Sequence, residues 1–450
     1  MIELIDAAAR RDPSQIAAVT NDVATSYAEL SEQAHRVSTW LRRRSITRFG
    51  VVDFEATPVL ALLAGAADAG AEACLYPPVE AGEISVLAER FDHDLLVTDR
   101  DDLADLGLTL EPTSGWAAVP PDPAPPTTAR PHLVLTTGTT GAPRGVRHDW
   151  TRLLRGVARV RPAGDQRWLL AYGIHQFAGL QILLHVLAAG ATLVAPAPRR
   201  PREGLDAMRR LGVTHASATP TYWRFLLAEL RADAGPVPRL RQVTLGGEAV
   251  PAPVLAQIRS TFPDASISQI YAASEFGSSG SMRDGRPGLS TDVLDRGEEA
   301  DVDMRVVDGE LWVRSTTGML GYYGEPAIDP DGWRSTGDLV EIVGDRIEFR
   351  GRSSEIINVG GVKVHPLPIE ERIGAVESVD VARVWGRPNP LTGAIVAVDV
   401  VAAPGSDIER VREEIRAACE DLPPAARPRS IRFVDDVATL GSKILRRDDS

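Results

Sequence analysis

Cysteine, lysine and long apolar runs are all scarce in this chain of 450 residues. Only Cys74 and Cys419 are present, far apart in the sequence. Two such residues build neither a disulfide framework nor a metal-ligand cluster, and they fit a reducing, cytoplasmic setting. The longest apolar run, about residues 180–196, is interrupted by His185 and Gly190 and falls short of the ~20 residues a spanning helix needs. No membrane span is expected. The first residues, Met-Ile-Glu-Leu-Ile-Asp, are acidic and lack the basic n-region of a signal peptide. The net charge of −13 speaks against non-specific nucleic-acid binding, which depends on a basic surface, and against a polybasic membrane anchor. Of the 49 basic residues only Lys363 and Lys443 are lysines. Where either cation serves, this chain uses arginine, so the two lysines are candidates for work that a guanidinium cannot do.

What is present is an alternation of strand and helix patterns. Strands are expected at 133–135, 168–172, 191–194, 215–218 and 242–245, and helices at 150–160, 176–188, 204–211 and 220–230. Such alternation predicts βαβ units, with parallel sheets flanked by helices. The length allows two or three domains. The Pro-rich stretch 117–131 is either a boundary between subdomains or a long surface loop. From 300 to 350 short alternating strands separated by Asp-Gly and Gly-Asp turns predict a small β-rich subdomain. After Arg352 two strands and two helices, at 366–373 and 407–422, predict a small separate α+β domain. The expected fold is therefore α/β, with a large domain at 1–351 and a small one at 352–450.

The sharpest local signal is Leu133-Val-Leu-Thr-Thr-Gly-Thr-Thr-Gly-Ala-Pro-Arg-Gly-Val146. An apolar strand runs into a loop with Thr136, Thr137, Gly138, Thr139, Thr140 and Gly141, followed by Arg144 and a helical pattern. Glycines let backbone N–H groups surround an anion, the threonine hydroxyls add donors, and Arg144 adds charge. The spacing is not that of a Walker A loop.

This loop resembles the signature loop of the adenylate-forming superfamily, which includes acyl-CoA and aryl-CoA synthetases, adenylation domains and luciferases. Arg144 stands where the family usually has lysine, a replacement in keeping with the chain's arginine bias. Further segments resemble the family's other elements, in order. Gly246-Gly247-Glu248-Ala249 is similar to the glycine turn that frames adenine. Gln269-Ile-Tyr-Ala-Ala-Ser-Glu-Phe-Gly277 is similar to the Tyr-Gly-x-Thr-Glu element. The resemblance gives Tyr271 the adenine, Ser274 the α-phosphate and Glu275 the Mg²⁺, with Ala272 beside the substrate. Arg334-Ser-Thr-Gly-Asp338 is similar to the ribose clamp, and Arg352 to the arginine that contacts the ribose. Ser354 falls at the hinge of a mobile C-terminal lid, and Gly360-Gly361 at the loop that lines the thiol tunnel. Lys443, in Gly441-Ser-Lys-Ile-Leu-Arg446, matches the lysine that bridges carboxylate and α-phosphate during adenylation.

The resemblance implies an ATP- and Mg²⁺-dependent acid–thiol ligase. It makes an acyl-adenylate, releases pyrophosphate and passes the acyl group to coenzyme A or a phosphopantetheine thiol. The segment Tyr172-Gly-Ile-His-Gln-Phe-Ala-Gly179 matches the acid-binding stretch, with His175 or Gln176 at the lining position and Phe177, Gly179 and Gly246 nearby. Amino-acid-activating relatives carry an Asp in this region, and none stands between Leu169 and Leu187. The expected substrate is a small uncharged aryl or aliphatic carboxylic acid. Alternative acceptors are a separate acyl carrier protein or a nitrogen nucleophile. A degenerate nucleotide-binding protein is the non-enzymatic alternative, which Glu275, Asp338, Arg352 and Lys443 oppose.

Overall fold

The computed structural model describes residues 1–52, 55–116, 129–136, 143–195, 200–297, 299–329, 331–437, 439–440 and 443–444, the last four as backbone alone. The chain divides into two compact units. One comprises residues 1–217, 272–278 and 315–332, and the other residues 218–271, 279–314 and 333–450.

The first unit holds a seven-stranded sheet whose order in space is Gly321–Tyr322, Arg144–Asp149, Pro131–Thr136, Glu72–Leu75, Arg48–Val52, Leu95–Thr98 and Thr109–Glu111. The strands from Pro131–Thr136 onward pair in parallel, while Arg144–Asp149 pairs antiparallel on both sides. A second set runs His215–Ala218, Arg167–Leu170, Thr192–Ala195, Ile16–Thr20 and Val23–Ser26, parallel until the last pair. The helices form for readable reasons. Ser26 and Glu29 make a reciprocal capping box at the start of Tyr27–Arg43. Ala56–Ala69 and Phe177–Ala189 are apolar on nearly every side, as helices buried in a core must be, and each ends at a glycine with positive φ, Gly70 and Gly190.

The second unit begins with the parallel strands Gln242–Gly246 and Ser266–Ala273, accompanied by helices Pro220–Ala232 and Ala252–Thr261. Proline at the first helical turn and the Thr219 hydroxyl accepting from the Tyr222 N–H start the first of these helices. An antiparallel sheet follows, ordered Leu289–Ser290, Arg346–Arg352, Arg334–Val343, Glu310–Ser315 and Val302–Val307. The β-rich region expected at 300–350 is this sheet. The C-terminal part is built on the long hairpin Val379–Asn389 and Gly393–Ala402. Helices Pro366–Ile373 and Ile408–Ala418 contribute to a core made only of residues 357–433.

The architecture is thus α/β with mixed sheets and helices, as expected, and its C-terminal part is β-rich; three local expectations change. The helix read at 150–160 is only Trp150–Arg155, because Gly156 ends it and turns follow. The segment after Arg352 holds five strands before residue 434 rather than two. The Thr/Gly loop connects two antiparallel strands, Pro131–Thr136 and Arg144–Asp149, instead of leading from a strand into a helix. Arg144 therefore sits on a strand, and no helix N-terminus follows the loop directly. Most of the Pro-rich stretch, residues 117–128, lies outside the described residues.

Candidate functional site

Asp338 is the centre of the second unit's cluster. Its strand, Arg334–Val343, pairs antiparallel with Arg346–Arg352, and the register sets Asp338 directly opposite Arg352. The Arg352 Nε donates to Asp338 Oδ1 at 2.9 Å, and the Tyr271 hydroxyl donates to Asp338 Oδ2 at 2.6 Å. The Asp338 charge raises the pKa of Arg352, while burial first and Asp338 second hold Tyr271 well above the usual phenol range. Gly337 has φ +75 and makes the irregularity that turns the Thr336–Gly337–Asp338 segment, and the Thr336 hydroxyl accepts from the Asp338 N–H at 3.1 Å. The Tyr271 ring meets Phe349 with centroids 5.2 Å apart. A carboxylate with two acceptor oxygens, beside an aromatic pair and a fixed cation, has the donor and acceptor chemistry to hold a vicinal diol and a flat ring.

The glycine turn lies in the same unit. Gly246 ends the strand Gln242–Gly246, and Gly247 has φ +86. Glu248 then accepts from the Thr221 N–H at 3.1 Å and from the Thr221 hydroxyl at 2.7 Å. A carboxylate at the start of helix Pro220–Ala232 is favourable there, so Glu248 has a helix-anchoring task in addition to any ligand it frames. Ala249 follows, half-buried.

The first unit carries the anionic and cationic residues expected at the phosphates. Ser274 and Glu275 lie in the turn between strands Ser266–Ala273 and Gly277–Met282, next to half-buried Ala272. The Tyr322 hydroxyl donates to Glu275 Oε1 at 3.2 Å, and the Met319 N–H donates to the Glu275 carbonyl at 3.1 Å. The Arg144 guanidinium lies over the Tyr322 ring, 3.4 Å from its centroid, and donates to Glu325 Oε1 at 2.7 Å. Burial and then the Glu275 charge push Tyr322 up to about 12, so its hydroxyl stays a donor. An exposed ion pair and an exposed cation–π contact contribute about 1 kcal/mol each. A charge-assisted hydrogen bond to phosphate is worth roughly 1.5–3 kcal/mol, so Arg144 can give up Glu325 for a stronger anion. The arginine here thus has specific partners that a compositional bias alone does not supply. Thr136 closes the hairpin opposite Arg144. Thr137, Gly138, Thr139, Thr140 and Gly141 lie outside the described residues.

The acid-binding stretch is a tight loop before helix Phe177–Ala189. Gln176 accepts from the Gly173 N–H through its side-chain oxygen at 2.9 Å, and its own N–H donates to the Gly173 carbonyl at 2.9 Å. The Gln176 side-chain oxygen therefore closes the loop. Gly179 is required by close approach, since a Cβ there would stand 2.2 Å from the Gly173 carbonyl oxygen. A Cβ on Gly173 would collide with the His175 ring. Phe177 stacks on His148, with centroids 5.3 Å apart and planes 22° apart. His148 is 1% exposed. Burial, reinforced by neighbouring His132, drives its pKa down to about 3. Among the described residues there is no group of three or more His, Cys, Asp or Glu able to hold a metal ion, and no helix long and apolar enough to cross a membrane.

Ser354 is exposed in the short 3-10 turn Ser353–Glu355, immediately after the strand ending at Arg352. Gly360 and Gly361 form the two-residue tip of the hairpin Ile357–Val359 and Val362–Val364, with φ +59 and +87. A two-residue hairpin with both φ positive is the turn that glycine pairs favour. Lys443 pairs with Leu440 in a short antiparallel ladder, Thr439–Leu440 with Lys443–Ile444; its side chain lies outside the description. Three residues escaped the sequence reading: Tyr322, Glu325 and His148. The stretch Gly321-Tyr-Tyr-Gly-Glu325 was a usable signal, two aromatics between glycines.

Comparison with known proteins identifies a family. Residues 5–323 match the family described as AMP-binding enzyme, and residues 368–442 match the AMP-binding enzyme C-terminal domain. Over 317 residues the chain is 28% identical to the 3-[(3aS,4S,7aS)-7a-methyl-1,5-dioxo-octahydro-1H-inden-4-yl]propanoyl:CoA ligase of Mycobacterium tuberculosis, covering 67% of this chain and 62% of that one. Over 350 residues it is 29% identical to a fatty acid–[acyl-carrier-protein] ligase of Streptomyces coeruleorubidus, covering 70% of this chain and 66% of the relative. The matched stretches thus span less than two thirds of either relative. The fold is similar to that of an anthranilate CoA ligase in complex with anthranoyl-AMP, with a TM-score of 0.81 at 20% identity over 98% of this chain and 95% of the other.

Proposed function

Because the chain belongs to the AMP-binding enzyme family, we propose that it activates a carboxylic acid with ATP and passes the acyl group to a thiol, as acyl-CoA synthetases do. The observation that carries this reading is the Asp338 carboxylate held between Arg352 and Tyr271, 2.9 Å and 2.6 Å away. It suits the ribose and adenine of a nucleotide.

Arg144 neutralises phosphate charge, and Ser274 contributes a hydroxyl to the α-phosphate. Glu275 is the carboxylate that would hold Mg²⁺. A single carboxylate fits that ion, which binds through one or two carboxylates plus substrate phosphates. Held there, Mg²⁺ would supply positive charge to offset that developing on the pyrophosphate. A carboxylate oxygen of the acid attacks the α-phosphorus, the bond to the β-phosphate oxygen breaks, and acyl-AMP and pyrophosphate result. Lys443 steadies the carboxylate and α-phosphate while that bond forms, a place where a compact ammonium serves better than a planar guanidinium. Residues 352–450 act as a lid over the domain 1–351, turning near Ser354. The independent core of residues 357–433 and the separate C-terminal match from 368 support that division. In the second half-reaction Gly360-Gly361 lines the thiol's path, the thiol sulfur attacks the acyl carbon, and AMP leaves.

The acid is aryl or aliphatic, and His175, Gln176, Phe177, Gly179, Gly246 and Ala272 are the residues assigned to it. The absence of any Asp or Glu from residues 169–187 removes the partner an α-ammonium requires, and the Phe177–His148 stack suits a flat apolar group. Coenzyme A is the first-choice thiol. A separate acyl carrier protein is the second, because one similar protein is a ligase that loads such a carrier. A cytoplasmic location follows from this chemistry, and both cysteines are free and buried. The test is carboxylate-dependent pyrophosphate–ATP exchange without thiol across aryl, fatty and amino acids. Exchange with an uncharged class is the expected result; exchange confined to amino acids overturns the substrate reading, and no exchange overturns the activity.

A further inference from the structure

We propose that Tyr322 is a positioning residue that couples the cation at the phosphates, Arg144, to the metal-holding carboxylate, Glu275. This rests on the function proposed above.

One aromatic side chain touches both groups through its two different chemistries. The ring face carries the Arg144 guanidinium at 3.4 Å, and the hydroxyl donates to Glu275 Oε1 at 3.2 Å. Glu325 receives Arg144 at 2.7 Å, so the guanidinium has a fixed plane and a fixed edge. The backbone around Tyr322 is anchored to both partners. Tyr322 pairs with Val146 and Gly321 with Arg147, and the Tyr323 N–H donates to the Gly145 carbonyl at 2.8 Å. On the other side the Met319 N–H holds the Glu275 carbonyl. Gly318 makes that approach feasible, for a Cβ there would lie 2.6 Å from the Glu275 carbonyl oxygen. Residues 318–325 therefore join two chain segments that carry separate halves of the phosphate chemistry.

The arrangement also explains an arginine at position 144. A guanidinium is planar, lies flat on a ring and still presents an edge to a carboxylate or phosphate; an ammonium is a point charge on a flexible stem. When a nucleotide arrives, the edge turned to Glu325 is the one available for phosphate, while the ring keeps the plane. The hydroxyl bond meanwhile holds one oxygen of Glu275 in place, leaving the other for a metal ion.

The test uses the full chain with four variants: Tyr322→Phe, Tyr322→Leu, Arg144→Lys and the Leu/Lys double. In pyrophosphate–ATP exchange, Tyr322→Phe keeps the ring and loses the hydroxyl, so the half-saturating Mg²⁺ concentration rises roughly three- to tenfold while the KM for the acid stays put. Tyr322→Leu in addition raises the KM for ATP, and Arg144→Lys costs less in that background than in the wild type. Unfolding midpoints separate positioning from simple destabilisation. A Mg²⁺ dependence unchanged in Tyr322→Phe, or an additive double variant, overturns the inference while leaving the proposed function standing. If the wild type supports no exchange, the function falls instead. Mg²⁺-dependent ATP binding measured by calorimetry then decides on Tyr322: weaker binding in the Phe variant supports the coupling, and equal binding in all variants overturns it.

Discussion

Asp338 and Arg352 stand directly opposite each other on neighbouring antiparallel strands, and Arg352 Nε reaches Asp338 Oδ1 at 2.9 Å. The ion pair is a product of strand register, so it is in place before any ligand binds. Tyr271 occupies the second oxygen. A diol that binds Asp338 displaces at least one of these donors, and the remaining one keeps the carboxylate oriented.

Replacing Asp338 with Ala removes both acceptor oxygens. The KM for ATP should rise roughly ten- to hundredfold, the value of a charge-assisted pair of hydrogen bonds. Tyr271→Phe keeps the ring against Phe349 and should change it far less. Steady-state kinetics in the two variants check this, and an unchanged KM in Asp338→Ala would refute the clamp.

Lys443→Ala should abolish formation of acyl-AMP yet spare thiol transfer from acyl-AMP supplied ready-made. The two half-reactions are measured separately, by exchange and by thioester formation. Equal loss in both would remove Lys443 from the adenylation step.

Gly361→Ala puts a side chain where φ is +87, at a cost of about 1–2 kcal/mol. Space is not the obstacle, since nothing lies within 4 Å of the added Cβ. Thiol transfer should fall several-fold more than pyrophosphate exchange. A parallel fall in both would mean that the hairpin tip serves stability alone.

Stability should decline as the pH drops below neutral. His93, His132 and His148 are buried and neutral, with pKa values driven by burial to about 4, about 4 and about 3. The unfolded chain takes up these protons near pH 6.5, about where free histidine titrates. Between that point and the folded values the unfolded state holds more protons, so stability rises with pH there. The contribution is complete above about pH 7 and shrinks by up to about 1.4 kcal/mol per pH unit per histidine on the way down. Urea unfolding at neutral and mildly acidic pH measures it, and His148→Asn should flatten the slope. A midpoint that does not move with pH would contradict these protonation states.

The α/β class was legible from apolar periodicity, and the order of the nucleotide-site elements from the resemblance of their segments to the family's. Asp338, Arg352, Gly247 and the Gly360-Gly361 pair were singled out by the resemblance of their segments to family elements; locally each reads as an ordinary turn or strand residue. What escaped depended on contacts distant in sequence. The two aromatics between glycines mark the segment, but Tyr322 gains its partners only when the strand Gly321–Tyr322 pairs with the strand that carries Arg144. The strand Arg144–Asp149 escaped because the helical pattern at 150–160 reads as following the loop directly; pairing with Pro131–Thr136 makes a strand of the residues between. The long C-terminal hairpin was merged into fewer strands because its turn at 390–392, Pro-Leu-Thr, carries no Asn-Gly signal.

The central claim is that the acid's own oxygen attacks the α-phosphorus of ATP. Incubating the protein with ATP, Mg²⁺, coenzyme A and an accepted acid labelled with ¹⁸O in its carboxylate tests this most directly, with the nucleotide products read by mass spectrometry. The account predicts AMP carrying one labelled oxygen together with unlabelled pyrophosphate. Label in inorganic phosphate alongside ADP would place the attack on the γ-phosphorus and contradict it.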